Sequence, residues 1–236
     1  MLSVFESFID RTSHSSADFV INLAGVGGLL FDASQGKYDS IIQNRIWLLE
    51  KYLSELKKEL FIREIIIGVN NLLIIFDPLS LSHVKAREIL ASFWEKTSGE
   101  TLTGREFEIG VTYGGLAKDD LQDIAASTGL TIDQIISRHS TAIYTVACLG
   151  SMPGFAYMTG LPAEIAIPRR QSPRMGILKG SVIIGGEQTG IMPCTAPSGW
   201  HLLGETRTEI FNPHANIPCL LSPGDKVRFI VEGVDL

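Results

Sequence analysis

The chain of 236 residues carries 20 lysines and arginines against 26 acids, a net charge of −6, with 45% hydrophobic and 19% charged residues. That mild acidity excludes a protein that holds nucleic acid by broad phosphate neutralisation, and no run of about 18 apolar residues offers a membrane-spanning helix. Residues 1–10 lack the cationic segment and apolar run of a secretory leader, and the 3 cysteines, Cys148, Cys194 and Cys219, show neither paired metal spacing nor an even disulfide set, so reduced thiols in a cytoplasm are expected.

Residues 19–30 alternate imperfectly between apolar and polar and are broken by Gly25, Gly27 and Gly28, which predicts a strand, a turn and the start of a second strand. These glycines are not a dinucleotide fingerprint, because no helical pattern opens on them. From Tyr38, apolar side chains at Ile42, Ile46, Leu49, Leu53, Leu56 and Leu60 fall in steps of four and three, one core-facing stripe of a helix. Residues 65–76 read as two buried strands about Asn70-Asn71, since asparagine tolerates positive φ, and Asp77-Pro78 ends the hairpin. A second helix is predicted from about Ser82 to Trp94, with Ala86, Ile89, Leu90 and Phe93 on one side. Together these elements make an α+β layer of sheet and helices.

The polar, aperiodic residues 97–101 then separate two halves, giving an N-terminal α+β domain over 1–98 and a second domain over 99–236 whose first element starts at about Thr103. Residues 106–113 alternate as a strand and are followed by two short helices, 119–127 and 132–138, the second opened by a Thr131/Gln134 capping box. His139 falls at the end of that helix, where the dipole favours a protonated imidazole. Residues 143–149, 181–184, 201–203 and 226–231 are strand-like and separated by Gly/Pro turns, the pattern of a closed barrel or a sandwich.

Residues 144–207 hold 10 of the 23 glycines and 6 of the 10 prolines, so the backbone there turns tightly and often. Arg169, Arg170, Arg174, Lys179 and Arg207 face only Glu164, Glu187 and Glu205, a local charge of +2. A proline-stiffened loop with no acid between Pro168 and Lys179 suits an anion; a solvated surface loop is the plainer alternative. No complete catalytic set is present: there is no Gly-x-Ser-x-Gly elbow, no His-Glu-x-x-His, and Lys179-Gly180-Ser181 lacks the lead-in of a phosphate loop. Gly185 to Gly190 reads as a strand-connecting turn, and the 5 scattered histidines offer no metal site. His139 is a candidate for proton transfer because it precedes the strand leading to Pro153-Gly154-Phe155.

Five motifs stand in order across this stretch: Cys148 to Met158 around Pro153-Gly154-Phe155, Pro168-Arg169-Arg170 with Ser172-Pro173-Arg174, Gly180-Ser181-Val182, Gln188-Thr189-Gly190, and Pro197-Ser198-Gly199-Trp200 with Leu203-Gly204. In that order the chain resembles the family that groups the B subunit of 5-oxoprolinase with KipI and allophanate hydrolase subunit 1. It departs from the family at Gly150-Ser151, where Gly-Phe is usual, and at Ser198, where glycine is usual. The resemblance implies a small α/β-sandwich domain followed by a cyclophilin-like β-barrel, with a pocket completed by a second, similarly folded subunit. It implies one component of an ATP-dependent lactam hydrolase, inactive alone, that cleaves 5-oxo-L-proline to L-glutamate together with the 5-oxoprolinase A and C subunits; ATP is used by the assembled complex. Roles follow for His139 in proton transfer, for Arg169 and Arg174 on a carboxylate or oxyanion, and for Gln188 on the lactam. Pro153, Gly154, Phe155, Tyr157 and Pro168 would line the pocket, with Trp200 either lining it or in the core. The resemblance also admits inhibition of a sporulation histidine kinase, as by KipI, or a part in urea degradation.

Overall fold

The computed structural model describes residues 19–34 and 36–236, so the leader reading of residues 1–10 lies outside the described residues. Two compact units divide at Leu102 and Thr103. In the first, β1 (Val20–Leu23), β2 (Gly28–Asp32), β3 (Ile62–Ile67) and β4 (Asn71–Phe76) form an antiparallel sheet in the order β1-β2-β4-β3. Helices α1 (Ser40–Glu55) and α2 (His83–Lys96) cover the face on which Leu29, Phe31, Leu72, Ile74 and Phe76 are buried. Their stripes supply Ile46, Leu49 and Leu53 from α1 and Ala86, Leu90 and Trp94 from α2. The α1 stripe stops short of Leu60, because Leu56 already caps the helix.

The expected Asn-Asn turn does more than reverse the chain. Asn70 adopts φ 57° and is buried; its amide side chain donates to the Asp39 carbonyl and accepts from the Asp39 N–H, while its own N–H donates to Gln43. The hairpin is thereby fastened to the start of α1, whose orphan N–H groups Asp39 caps.

In the second unit, β5 (Glu106–Gly114), β6 (Tyr144–Leu149), β7 (Ala156–Thr159), β9 (Ser181–Gly185), β10 (Gln188–Ile191), β12 (His201–Glu205) and β13 (Lys226–Asp235) close a barrel in the order β10-β7-β6-β13-β5-β12-β9. Its pairs are antiparallel except β13 with β5. Two further strands, β8 (Arg174–Ile177) and β11 (Ala196–Ser198), pair with each other outside it. The barrel interior is filled by side chains such as Val111, Val146, Met158, Ile184 and Phe229. Leu121 and Ile124 of α3 (Lys118–Thr128) and Ile135 and Ile136 of α4 (Ile132–Thr141) join the same cluster. The fold is α+β, and stretch 144–207 supplies five of the seven barrel strands.

Candidate functional site

Strand alternation sorts the predicted site residues onto two sides of the barrel wall. On β9, Val182 and Ile184 point inward, whereas Ile183 belongs to a second apolar cluster outside the barrel with Phe155, Trp200, Leu202, Ile177 and Met192. On β10, Thr189 and Ile191 face in, leaving Gln188 and Gly190 on the outer face, paired with Gly185 and Ile183. Tyr157 lies outward on β7, between inward Ala156 and Met158.

Glycines make this outer face. A Cβ on Gly185 would meet the Trp200 ring at 2.8 Å, and one on Gly190 would meet the Phe155 ring at 2.8 Å, so both rings rest directly on backbone. Phe155, Tyr157 and Trp200 pack edge to face, with centroids 4.9, 5.7 and 6.1 Å apart, an arrangement that ring quadrupoles favour. Trp200 is 5% exposed and Phe155 4%, so both form the floor of the face and Tyr157 is its half-buried flank. The Arg169 guanidinium stands 5.3 Å from the Trp200 ring centre. Pro153 is exposed on the loop before β7, Gly154 takes φ 80° beside Phe211, and Ser151, the departure from the family pattern, also takes a positive φ of 66°.

The cationic loop is less free than its sequence implies, because its acids come from elsewhere in the chain. Asp120, in the first turn of α3 and 2% exposed, receives a two-pronged bond from Arg174, 2.8 Å to Oδ1 and 2.5 Å to Oδ2. The Leu202 N–H donates to the same carboxylate at 2.6 Å, and Arg170 approaches Asp120 at 3.5 Å and Asp123 at 3.4 Å. Arg174 therefore serves the fold, stapling β8 to α3 and β12. The loop's backbone is pinned as well: His201 Nε2 donates to the Pro168 carbonyl at 3.1 Å, and the Arg170 N–H donates to the Gly199 carbonyl at 2.7 Å.

His139 corrects the expectation of a protonated imidazole at a helix end. Helix α4 continues to Thr141 and carries the ring to 0% exposure inside the barrel, stacked on Phe229 with centroids 4.6 Å apart. Thr189 spends its hydroxyl proton on the Ile183 carbonyl at 2.9 Å, so at 3.1 Å it accepts from His139 Nε2–H. Nδ1 is then the acceptor of the Tyr113 hydroxyl at 2.7 Å. Burial pushes the His139 pKa down to about 3 and raises that of Tyr113, so both stay neutral. The helix dipole is overridden by desolvation, and the ring is separated from the outer face by the sheet itself.

The structure thus brings together Phe155, Tyr157, Trp200, Gln188 and Arg169, with Pro153, Gly154 and Pro168 on the adjoining loops. It sets His139 apart and commits Arg174 to Asp120. Asp120 escaped the sequence reading: acids in a first helical turn already have a reason to be there, the helix dipole. A shallow groove lined by Phe107, Ile143, Val227 and Arg228 contains none of the expected site residues. Among the described residues no group of three or more His, Cys, Asp or Glu side chains is gathered to hold a metal ion.

A closed barrel of this topology, with an aromatic and cationic outer face, defines a class. The family model described as carboxyltransferase domain, subdomain C and D, matches residues 19–221, and the chain belongs to that family. Within it, the B subunit of 5-oxoprolinase from Haemophilus influenzae is 39% identical over 194 residues, which cover 82% of this chain and 89% of that protein. The crystal structure of TTHA0988 matches with a TM-score of 0.74 at 28% identity, covering 90% of this chain and 40% of that one. The Kluyveromyces lactis urea amidolyase shares the fold, with a TM-score of 0.77 at 19% identity over 94% of this chain and 15% of the enzyme. The chain spans less than half the length of either solved protein.

Proposed function

We propose that the chain is the B subunit of an ATP-dependent 5-oxoprolinase, acting in the cytoplasm with its A and C partners to open 5-oxo-L-proline to L-glutamate. The observation that carries this reading is the 39% identity to a 5-oxoprolinase B subunit, sustained over 89% of that protein. The physical arrangement supports a shared site. The outer face offers a cation, an amide and aromatic walls, whereas its expected acid–base residue, His139, is buried and neutral on the other side of the sheet. A lactam carbonyl resists water, so its opening needs both activation by phosphoryl transfer from ATP and a general base. Those groups would come from the partner subunits, and the chain alone is inactive. Among the described residues no helix is long and apolar enough to cross a membrane.

Gene deletion tests the reading. Cells lacking the chain should accumulate 5-oxoproline and fail to use it as a nitrogen source, with both defects reversed by re-expression. Unchanged 5-oxoproline levels and growth in the deletion strain would refute it.

A further inference from the structure

We propose that Arg169 is the residue that recognises the carboxylate of the substrate, and that Arg174 and Asp120 are positioning residues that hold the loop around it. The inference rests on the 5-oxoprolinase reading for the identity of the substrate, but the assignment of the two arginines comes from geometry.

Of the three arginines in the loop, two are committed. Arg174 is forked onto Asp120, and Arg170 lies between Asp120 and Asp123. Arg169 is exposed, and its contact among the described residues is with the Trp200 ring at 5.3 Å. An aromatic face leaves the edge of a guanidinium, with its N–H groups, available to a planar carboxylate. The residues on either side of Arg169 are fixed, Pro168 through His201 and Arg170 through Gly199, so little backbone freedom remains to be lost when an anion binds. Trp200 is itself seated on Gly185, and Gly185 is the strand partner of Gln188. That pairing places Gln188 on the strand beside the indole's seat, on the same outer face. The face therefore presents the Arg169 cation over the indole and carries Gln188 on the strand beside the indole's seat. A small ring that carries both a carboxylate and a lactam, such as 5-oxoproline, offers a partner to each of these groups.

This division of labour predicts different behaviour for neighbouring arginines. The probes are 5-oxo-L-proline and pyrrolidin-2-one, the same lactam without its carboxylate, each titrated calorimetrically into the assembled complex. Arg169→Gln should weaken 5-oxo-L-proline by about tenfold or more, the scale of a lost charge-assisted bond, and leave pyrrolidin-2-one within about twofold. Arg169→Lys should recover part of the loss. Arg174→Lys should lower the melting temperature yet retain the preference for the carboxylated ligand. A preference that survives in Arg169→Gln, or that disappears in Arg174→Lys, overturns the assignment. Turnover by the wild-type complex is scored separately: ATP-dependent glutamate release with an Arg169-independent preference sinks this inference alone, whereas an Arg169-dependent preference without glutamate release upholds it and sinks the 5-oxoprolinase reading.

Discussion

His139 and Asp120 show how one side chain acquires its role from neighbours far away in sequence. Below the ordinary histidine pKa of about 6.5 the unfolded chain takes up a proton at His139, while the folded chain, with its value at about 3, does not. The folded state therefore loses stability as pH falls from about 6.5 toward 3, by up to about 1.4 kcal/mol per pH unit from this residue. Guanidinium unfolding of wild type and His139→Gln at about pH 7 and about pH 5.5, on either side of the unfolded value, checks the sign. The variant should be less stable at the higher pH and show a smaller drop on acidification; an unchanged drop would mean that the imidazole is accessible to protons when folded. At Asp120, removal of the carboxylate deprives Arg174 of its forked partner and the Leu202 N–H of its acceptor, while Arg170 keeps Asp123. Asp120→Ala should cost about 1–3 kcal/mol of unfolding free energy, the range for a buried N–H left without its acceptor, because Arg174 is 34% exposed and its charge is partly solvated; a loss below about 0.5 kcal/mol would show that the pair contributes little.

At the scale of the element, much of the fold is written in local patterns and much of the site is not. The capping box at Thr131, the hairpin at Asn70 and the start of α2 after Ser82 follow from nearest-neighbour chemistry, and each is present, while α2 runs two residues past the expected end at Trp94, to Lys96. Strands β7, β8, β10 and β11 escape a periodicity reading because they have three or four residues each. In β10 one of those residues is Gly190, retained as the seat of Phe155. The turn expected over 185–190 is real, but confined to Gly186 and Glu187 between β9 and β10. His139 was legible as a helix-end residue and illegible as a core residue, since Tyr113 and Thr189, which hold it, lie 26 and 50 positions away. The same separation hides Asp120, 54 positions before Arg174. The seat under Trp200 gives the element-scale prediction. Gly185→Ala should displace the indole and destabilise the second unit by about 1–3 kcal/mol, read as a lower melting temperature with a shifted tryptophan emission. Wild-type values for both would show that the ring does not need bare backbone beneath it.

At the scale of the molecule, each unit secures its own end of the connecting segment. Asn44 of α1 donates to the Glu100 carbonyl at 2.7 Å and accepts from the Leu102 N–H at 2.8 Å, while Arg105 is fastened to Asp225 through its backbone and side chain. The second unit carries the aromatic and cationic face, with Arg169 beside Trp200 on its outer side and His139 buried on the inner side of the same barrel wall. The most direct test of this account is a reconstitution in which the 5-oxoprolinase A and C subunits are mixed with ATP and 5-oxo-L-proline, with and without this chain, and L-glutamate is measured. The account predicts no glutamate from the chain alone, none from the two partners without it, and ATP-dependent release from the three together. Glutamate formed by the chain alone, or at an undiminished rate when the chain is omitted, would contradict it.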